Sequence, residues 1–451
     1  MHTILSALLL AAAQAVPFTL DRLELDLQVD HEKERVEGVA RLTVRNVSDV
    51  PAHEVPFLLN RLMIVTAAGG LPLTQQVLTF EDDSRLQVDV ATVRLPEPLA
   101  PHSSRTIALS YGGHIASYEE TGRLYVKDRV SEEYTIVRED AYSFPVLGVP
   151  SLERNRRIPR EGFTFDARVT VARGYVVAAG SPAGRVASAD STTYRFSSRE
   201  PAPFLNLCIA RFQTLEGERF SLSYLPADEA GAKRIFQRTE EALALLAKWF
   251  GPPPSAPKLA IIEIPSGWGS QAHRISGIIL TADSFHDPSL LYELYHELAH
   301  LWNPPDLDRP SPRWNEGLSM WLQQLVAENL DGRKASPERA VARVLSSTDE
   351  RLKSVPFASY GTAGMTDASY GVGQLYFFVL ERVIGREALL GVLRDLCQSK
   401  KVPGASFRDF TNLLEARFPN TGKVDADWVS STAWREKLAK ASSLDALAAA
   451  Y

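Results

Sequence analysis

His296 and His300 stand four residues apart in Tyr295-His296-Glu297-Leu298-Ala299-His300-Leu301-Trp302, and fifteen residues separate His300 from the Glu of Asn315-Glu316-Gly317. On a helix, positions i and i+4 lie one turn apart on the same face, so both imidazoles reach a single metal ion. That is half of a zinc site. The carboxylate of Glu297, between the two histidines, stands where it can take a proton from a metal-bound water, and Glu316 closes the site as a third protein ligand. A fourth position is left for water. Hydrolysis of an amide needs a nucleophilic water, a proton shuttle, and donors or positive charge where the oxyanion develops. Zinc lowers the pKa of its water to about 7 and polarises the carbonyl, and Glu297 is the shuttle. One Zn2+ per chain is therefore expected, held by His296, His300 and Glu316.

The elements that position these groups are legible around them. Leu290, Leu291, Leu294, Leu298 and Leu301 make the motif segment apolar on its flanks, so a helix over about 288–302 turns its histidines towards a packed interior. A second helix opens at Trp314 with Glu316 near its first turn, and an unpaired carboxylate buried there is costly unless a metal takes it up. The link 303–313, rich in Pro and Asp, is long enough to reverse the chain. Further helices are expected over about 228–250, 314–330, 337–345, 370–384, 386–398 and 407–418, with short strands at 258–264 and 278–280. Before them, from Phe18 to about Phe212, apolar and polar residues alternate in short runs such as Leu20–Leu27, Val88–Leu95 and Thr164–Val171, punctuated by Pro and Gly. A β-rich domain over 16–213 thus precedes a mostly helical one over 214–451.

At 451 residues the chain exceeds one ordinary core, and its 45% hydrophobic and 23% charged residues are those of a globular protein. A net charge of −6, with Lys and Arg scattered rather than striped, gives no case for nucleic acid as a partner. Residues 1–15 read as a secretory signal, with an apolar stretch from Ile4 to Ala13 and Ala13-Gln14-Ala15 as the cleavage site, although Met1-His2-Thr3 carries no Lys or Arg. Export to the periplasm or the extracellular space follows. No later run is long and apolar enough for a transmembrane helix. Cys208 and Cys397, far apart in sequence, are expected to be buried thiols rather than a disulfide framework.

The motif helix with Asn315-Glu316-Gly317 resembles the gluzincin family of membrane alanyl aminopeptidases and leukotriene hydrolase. The likeness extends to the N-terminal β domain, the long helix ending Trp249-Phe250-Gly251-Pro252, and the strand Leu259-Ala260-Ile261-Ile262-Glu263-Ile264-Pro265, all in the family's order. It implies an α+β multidomain fold, an N-terminal antiparallel β sandwich or saddle followed by a thermolysin-like, mostly helical catalytic domain. The link after the motif helix is shorter than the family's, and the large C-terminal helical domain of many members is missing, so this looks like a compact member. The resemblance gives Tyr370, in Ser369-Tyr370-Gly371-Val372-Gly373, the part of oxyanion donor, with Val372 where the family has Lys; Tyr360 competes for that part. It also implies that Gly269, Ser270, Gln271, Ala272 and His273 form an edge strand against the substrate backbone. There the family carries a Glu that binds the substrate's α-ammonium, and this chain has Ala272 or, aligned on Gly277, Arg274. Glu139 and Asp140 are candidates to replace that anchor.

The resulting expectation is a zinc-dependent peptidase acting on short peptides from the amino end, with Glu297 as general base and Tyr370 as oxyanion donor. Two alternatives stay open: a zinc endopeptidase or a peptidase with altered N-terminal specificity, and a non-catalytic peptide-binding module on the same scaffold.

Overall fold

The computed structural model describes residues 16–158, 162–180, 182–253, 258–400 and 404–451, so the signal peptide expected over 1–15 lies outside the described residues. Two compact units divide the chain: residues up to 232 with 257–286, and 233–256 with 287–451. The expected boundary at 213 marks a change of sequence pattern. The strands that follow it, from Gln213 to Tyr224 and from Leu259 to Thr281, group with the first unit.

In the first unit the alternating runs become a seven-stranded sheet, in the order Pro182–Ala187, Ser191–Ser197, Thr164–Ala172, Phe18–Asp30, Arg35–Asn46, Ser104–Gly113 and Met63–Ala67. Phe18–Asp30 and Thr164–Ala172 run parallel, so this sheet is mixed rather than antiparallel throughout. A second, antiparallel sheet is built from Leu73–Phe80, Asp83–Leu99, Ala52–Asn60 and Val146–Leu147. One apolar core joins the two: Leu23, Leu25, Leu27 and Val44 from the first with Val55, Phe57, Val88 and Val93 from the second. Period-two alternation turns these residues to one side, and each fully buried Val, Leu or Phe contributes roughly 1.5–3 kcal/mol.

A three-stranded sheet (Val176–Ala178, Leu207–Ala210, Thr135–Val137) packs through Ile136, Cys208 and Ala210 against Ile262, Ile264 and Ile279 of a five-stranded one. The latter runs Gln213–Glu216, Phe220–Tyr224, Leu259–Ile264, Gly277–Thr281, Gln271–His273, with the last strand at the edge. Leu259–Ile264 and Gly277–Thr281 are buried at every position, as parallel strands covered on both faces must be. Cys208 and Cys397 are both buried thiols.

The second unit is helical. Its centre is the contact between Trp314–Asp331 and Thr366–Ile384, flanked by the motif helix Leu291–Ala299. Leu294 and Leu298 are fully buried, the expected apolar stripe. The motif segment is not one α-helix over 288–302, because 3-10 turns at Pro288–Leu290 and His300–Trp302 flank the regular part. Asp287 accepts the Ser289 backbone N–H at 2.7 Å and fixes where the first turn starts. Thr366–Ile384 begins a turn earlier than the expected 370–384, so Tyr370 sits inside regular helix. Three short C-terminal helices, Thr421–Trp428, Ala433–Lys440 and Leu444–Ala448, are not anticipated from periodicity; stacking of Trp428 on Trp434 at 5.0 Å joins the first two. Among the described residues no helix is long and apolar enough to cross a membrane.

Candidate metal centre

His296 projects from the last turn of the motif helix and His300 from the 3-10 turn that continues it, with ring centroids 4.8 Å apart. The rings meet edge to face, with an interplanar angle of 82°. Glu316 reaches them from the first turn of Trp314–Asp331. His296 Nε2 lies 3.1 Å from His300 Nε2 and 3.3 Å from Glu316 Oε2, and His300 Nε2 lies 3.4 Å from the same oxygen. Among the described residues these three side chains form a group of His and Glu that could hold a metal ion.

The opposite ring nitrogens are held as well. His296 Nδ1 donates to Gln323 Oε1 at 3.0 Å, which turns the lone pair of its Nε2 to the site. His300 Nδ1 accepts from the Asn303 amide nitrogen at 3.0 Å and lies 3.2 Å from Ser319 Oγ; ligation through His300 Nε2 would place its proton on Nδ1, for which the Ser319 hydroxyl is an acceptor. Two imidazole nitrogens and a carboxylate oxygen thus converge inside a largely buried site at the spacing of ligands around one cation. The edges of a tetrahedron with ligands about 2.0–2.1 Å from its centre are about 3.3–3.4 Å. The residues present fit zinc.

Glu316 divides its two oxygens. Oε2 faces the histidines, and Oε1 accepts from Arg313 Nη2 at 2.7 Å. Burial alone would raise the Glu316 carboxyl, but His300, His296 and Arg313 together hold it well below the usual carboxylate range. Glu297, 7% exposed, responds the other way: burial and the Glu316 and Glu293 charges push it up to about 8 against the pull of His296. Of two carboxylates in one site, one is thus kept ionised and the other made ready to carry a proton.

Tyr370 completes the group. Its ring stacks on His296 with centroids 6.0 Å apart, and its hydroxyl accepts from Arg313 Nη2 at 2.9 Å. Burial and the Glu316 charge raise the phenol, so it stays protonated. Tyr360 is placed elsewhere, packed on Phe357 at 5.2 Å, its hydroxyl buried and with no hydrogen-bond partner among the described residues. The Tyr370 helix can come this close because Gly317 and Gly373 meet backbone to backbone. A Cβ on Gly317 would lie 2.5 Å from Gly373 Cα, and one on Gly373 would lie 2.8 Å from Gly317 Cα. Any larger residue at either position separates the helix of the third ligand from the helix of the tyrosine.

With this geometry in hand, the likeness to solved structures is specific. An M1 zinc metallopeptidase from Deinococcus radiodurans shares 19% sequence identity and a TM-score of 0.66, over 92% of this chain and 94% of that one. The fold is that of the M1 zinc metallopeptidases. A variant of the same Deinococcus enzyme bound to a Tyr-Ser-Ala substrate matches at 18% identity and a TM-score of 0.64, again over 92% and 94%. Yeast LTA4 hydrolase matches at 16% identity and a TM-score of 0.65, over 92% of this chain and 68% of its own. No family model and no curated protein matches the chain.

Within this fold the expected edge strand over 269–273 is shorter: Gln271–His273 is the edge of the five-stranded sheet, and Gly269 and Ser270 precede it outside regular strand. Gln271–His273 pairs antiparallel with Gly277–Thr281. Gln271 Nε2 donates to Asp140 Oδ2 at 2.6 Å, and Gln271 Oε1 accepts from Asn206 at 3.1 Å. A carboxylate therefore stands against the edge strand although none belongs to it. Arg274 is paired with Glu200. His273 is pushed down to about 4, first by burial and then by Arg274, and its Nδ1 accepts the Ile275 backbone N–H at 3.2 Å. The sequence analysis does not single out Arg313, Ser319 or Gln323. For two of them the signal is spacing: Ser319 and Gln323 stand three and seven residues after Glu316, on the same helix face.

Proposed function

We propose that the protein is a zinc-dependent peptidase of aminopeptidase type acting on short peptides, with His296, His300 and Glu316 as metal ligands. When bound, zinc supplies a water activated at neutral pH and polarises the scissile carbonyl. Glu297 takes the proton of the attacking water and delivers it to the leaving nitrogen, a role suited to a carboxyl whose affinity for protons is raised by its surroundings. The Tyr370 hydroxyl donates to the oxygen on which charge develops. His296 is held in the ligand tautomer by Gln323, and the Ser319 hydroxyl offers His300 Nδ1 an acceptor. One observation carries the reading: two imidazole nitrogens and a carboxylate oxygen 3.1–3.4 Å apart, beside Glu297 and Tyr370. The test is metal content and turnover together. Purified protein is expected to hold one zinc and cleave unblocked short peptides, and Glu297→Gln to keep the zinc and lose the cleavage. Stoichiometric zinc with no hydrolysis across a varied peptide library would leave the non-catalytic binding module as the better description.

A second reading rests on the edge strand. Neither Ala272 nor Arg274 supplies the carboxylate that the resemblance leads one to expect, which favours internal or blocked substrates. Asp140, which accepts from Gln271 and lies 3.8 Å from Arg138 Nη1, supports the first reading instead, as a carboxylate set against this strand. Cleavage of free but not N-acetylated peptides supports the aminopeptidase; the reverse supports the endopeptidase. The apolar stretch and the Ala-Gln-Ala site within residues 1–15 support action outside the cytoplasm.

A further inference from the structure

Arg313 is the last residue of the link and the N-cap of the helix that carries Glu316, and it adopts a left-handed backbone, φ 59° and ψ 38°. A non-glycine residue in that region is uncommon and is kept only where its surroundings hold it there. Here the hold is visible. The Arg313 N–H donates to Ser311 Oγ at 2.9 Å, and its carbonyl accepts the Glu316 N–H at 3.1 Å. The turn throws the guanidinium back over the start of the helix. Nη2 then donates to Glu316 Oε1 at 2.7 Å and to Tyr370 Oη at 2.9 Å, with the guanidinium carbon 5.4 Å from the Tyr370 ring centre.

One nitrogen thus bridges the third ligand carboxylate and the hydroxyl, two groups from separate helices. Both contacts have a direction. At Glu316 the donor occupies Oε1 and leaves Oε2 to face the histidines. At Tyr370 the hydroxyl oxygen accepts, which frees its own hydrogen to be given to another acceptor. A cation on the phenol oxygen also strengthens the phenol as a donor.

We infer that Arg313 is a positioning residue of the metal centre, one that holds Glu316 to a single coordinating oxygen and sets the Tyr370 hydroxyl as a donor. The inference rests on the peptidase reading for its kinetic half and on the chain's own geometry for its metal-binding half. Lys is a poorer replacement, because its nitrogen sits on a flexible stem rather than in a rigid planar group laid over the Tyr370 ring.

The experiment compares wild type, Arg313→Ala, Arg313→Lys, Tyr370→Phe and the Arg313→Ala/Tyr370→Phe double variant, with circular dichroism confirming the fold of each. At saturating zinc on a short peptide, Arg313→Ala is expected to lower kcat on the order of 30-fold with KM changed less than about 3-fold, less than the roughly 10²–10³-fold for outright loss of an oxyanion donor because the hydroxyl is misplaced rather than removed. In the Tyr370→Phe background the same substitution is expected to cost less than about 3-fold, since its route to the reaction is already gone. Competition with a chromophoric chelator, which needs no turnover, is expected to show zinc held roughly 10–100-fold more weakly by Arg313→Ala. Arg313→Lys is expected to show at least half of each loss on a logarithmic scale, and low millimolar guanidinium to restore part of both in Arg313→Ala. An unchanged zinc affinity, or an equal kcat loss in both backgrounds, overturns the inference. If the wild type cleaves no peptide, the peptidase reading fails and the chelator competition alone decides for or against Arg313.

Discussion

The metal centre and the edge strand are built by opposite rules. At the metal centre each group is fixed by at least one other: His296 by Gln323, His300 by Ser319, Glu316 and Tyr370 by Arg313. All of these residues except Tyr370 fall within 28 positions of one another in the chain, between 296 and 323. The edge strand offers mainly its backbone, and the polar groups on it come from far away: Asp140 and Asn206 meet Gln271 across 131 and 65 residues. Under the proposed function, the reaction chemistry is written locally, in side chains whose spacing is set by two helices. The groups facing the edge strand are assembled from distant segments.

The largest expected effect tests the local half. Glu297→Gln should lower turnover by roughly 10³-fold or more, in the range of lost general-base catalysis, while metal content by atomic absorption stays at one per chain. A variant that retains activity would show that this carboxyl does not carry the proton. Next comes the glycine contact. Gly317→Ala must push the Gly373 helix away and is expected to destabilise by about 1–3 kcal/mol, read as a lower denaturation midpoint, and to lower kcat as Tyr370 recedes. Gln323→Leu, which keeps volume but removes the acceptor for His296, should weaken zinc binding by roughly 10–100-fold in chelator titration.

The smallest effect belongs to the edge strand and sharpens the contrast. His273, held neutral by burial with its folded pKa near 4, binds fewer protons than in the unfolded chain at pH values between about 4 and 6.5. Stability of the first unit should therefore rise with pH through that window, by on the order of 1–2 kcal/mol after allowance for partial exposure. His273→Gln should flatten this slope between pH 4 and 6.5 in thermal melts and leave turnover at pH 7.5 within about 2-fold.

Much of this was readable from residues alone, and the part that was not has a physical cause. His296, His300 and Glu316 come together because helical periodicity turns a spacing of four into a shared face and a carboxylate near a helix start into a ligand. Tyr370 needed the resemblance, since nothing in its local spacing points to His296. Arg313 escaped because its part depends on one left-handed turn, which no periodicity encodes. Asp140 was named only as a candidate, and its contact with Gln271 required a fold that brings two distant segments together. The three short C-terminal helices lie in runs too short and too polar for a 3.6-residue pattern to emerge.

The meeting of Gly317 with Gly373 bears on the short link between the metal ligands. Two backbones in direct contact have no slack, so the separation between ligand carboxylate and hydroxyl is a property of the interior and owes nothing to the length of the connection outside it. Residues 303–313 are tied down on their own account: Leu307 N–H donates to Ala405 O at 3.1 Å, Ala405 N–H to Pro305 O at 2.9 Å and Phe407 N–H to Asp308 Oδ2 at 2.8 Å. In this chain the distance through space is set by two backbones in contact, and the route along the sequence is anchored separately.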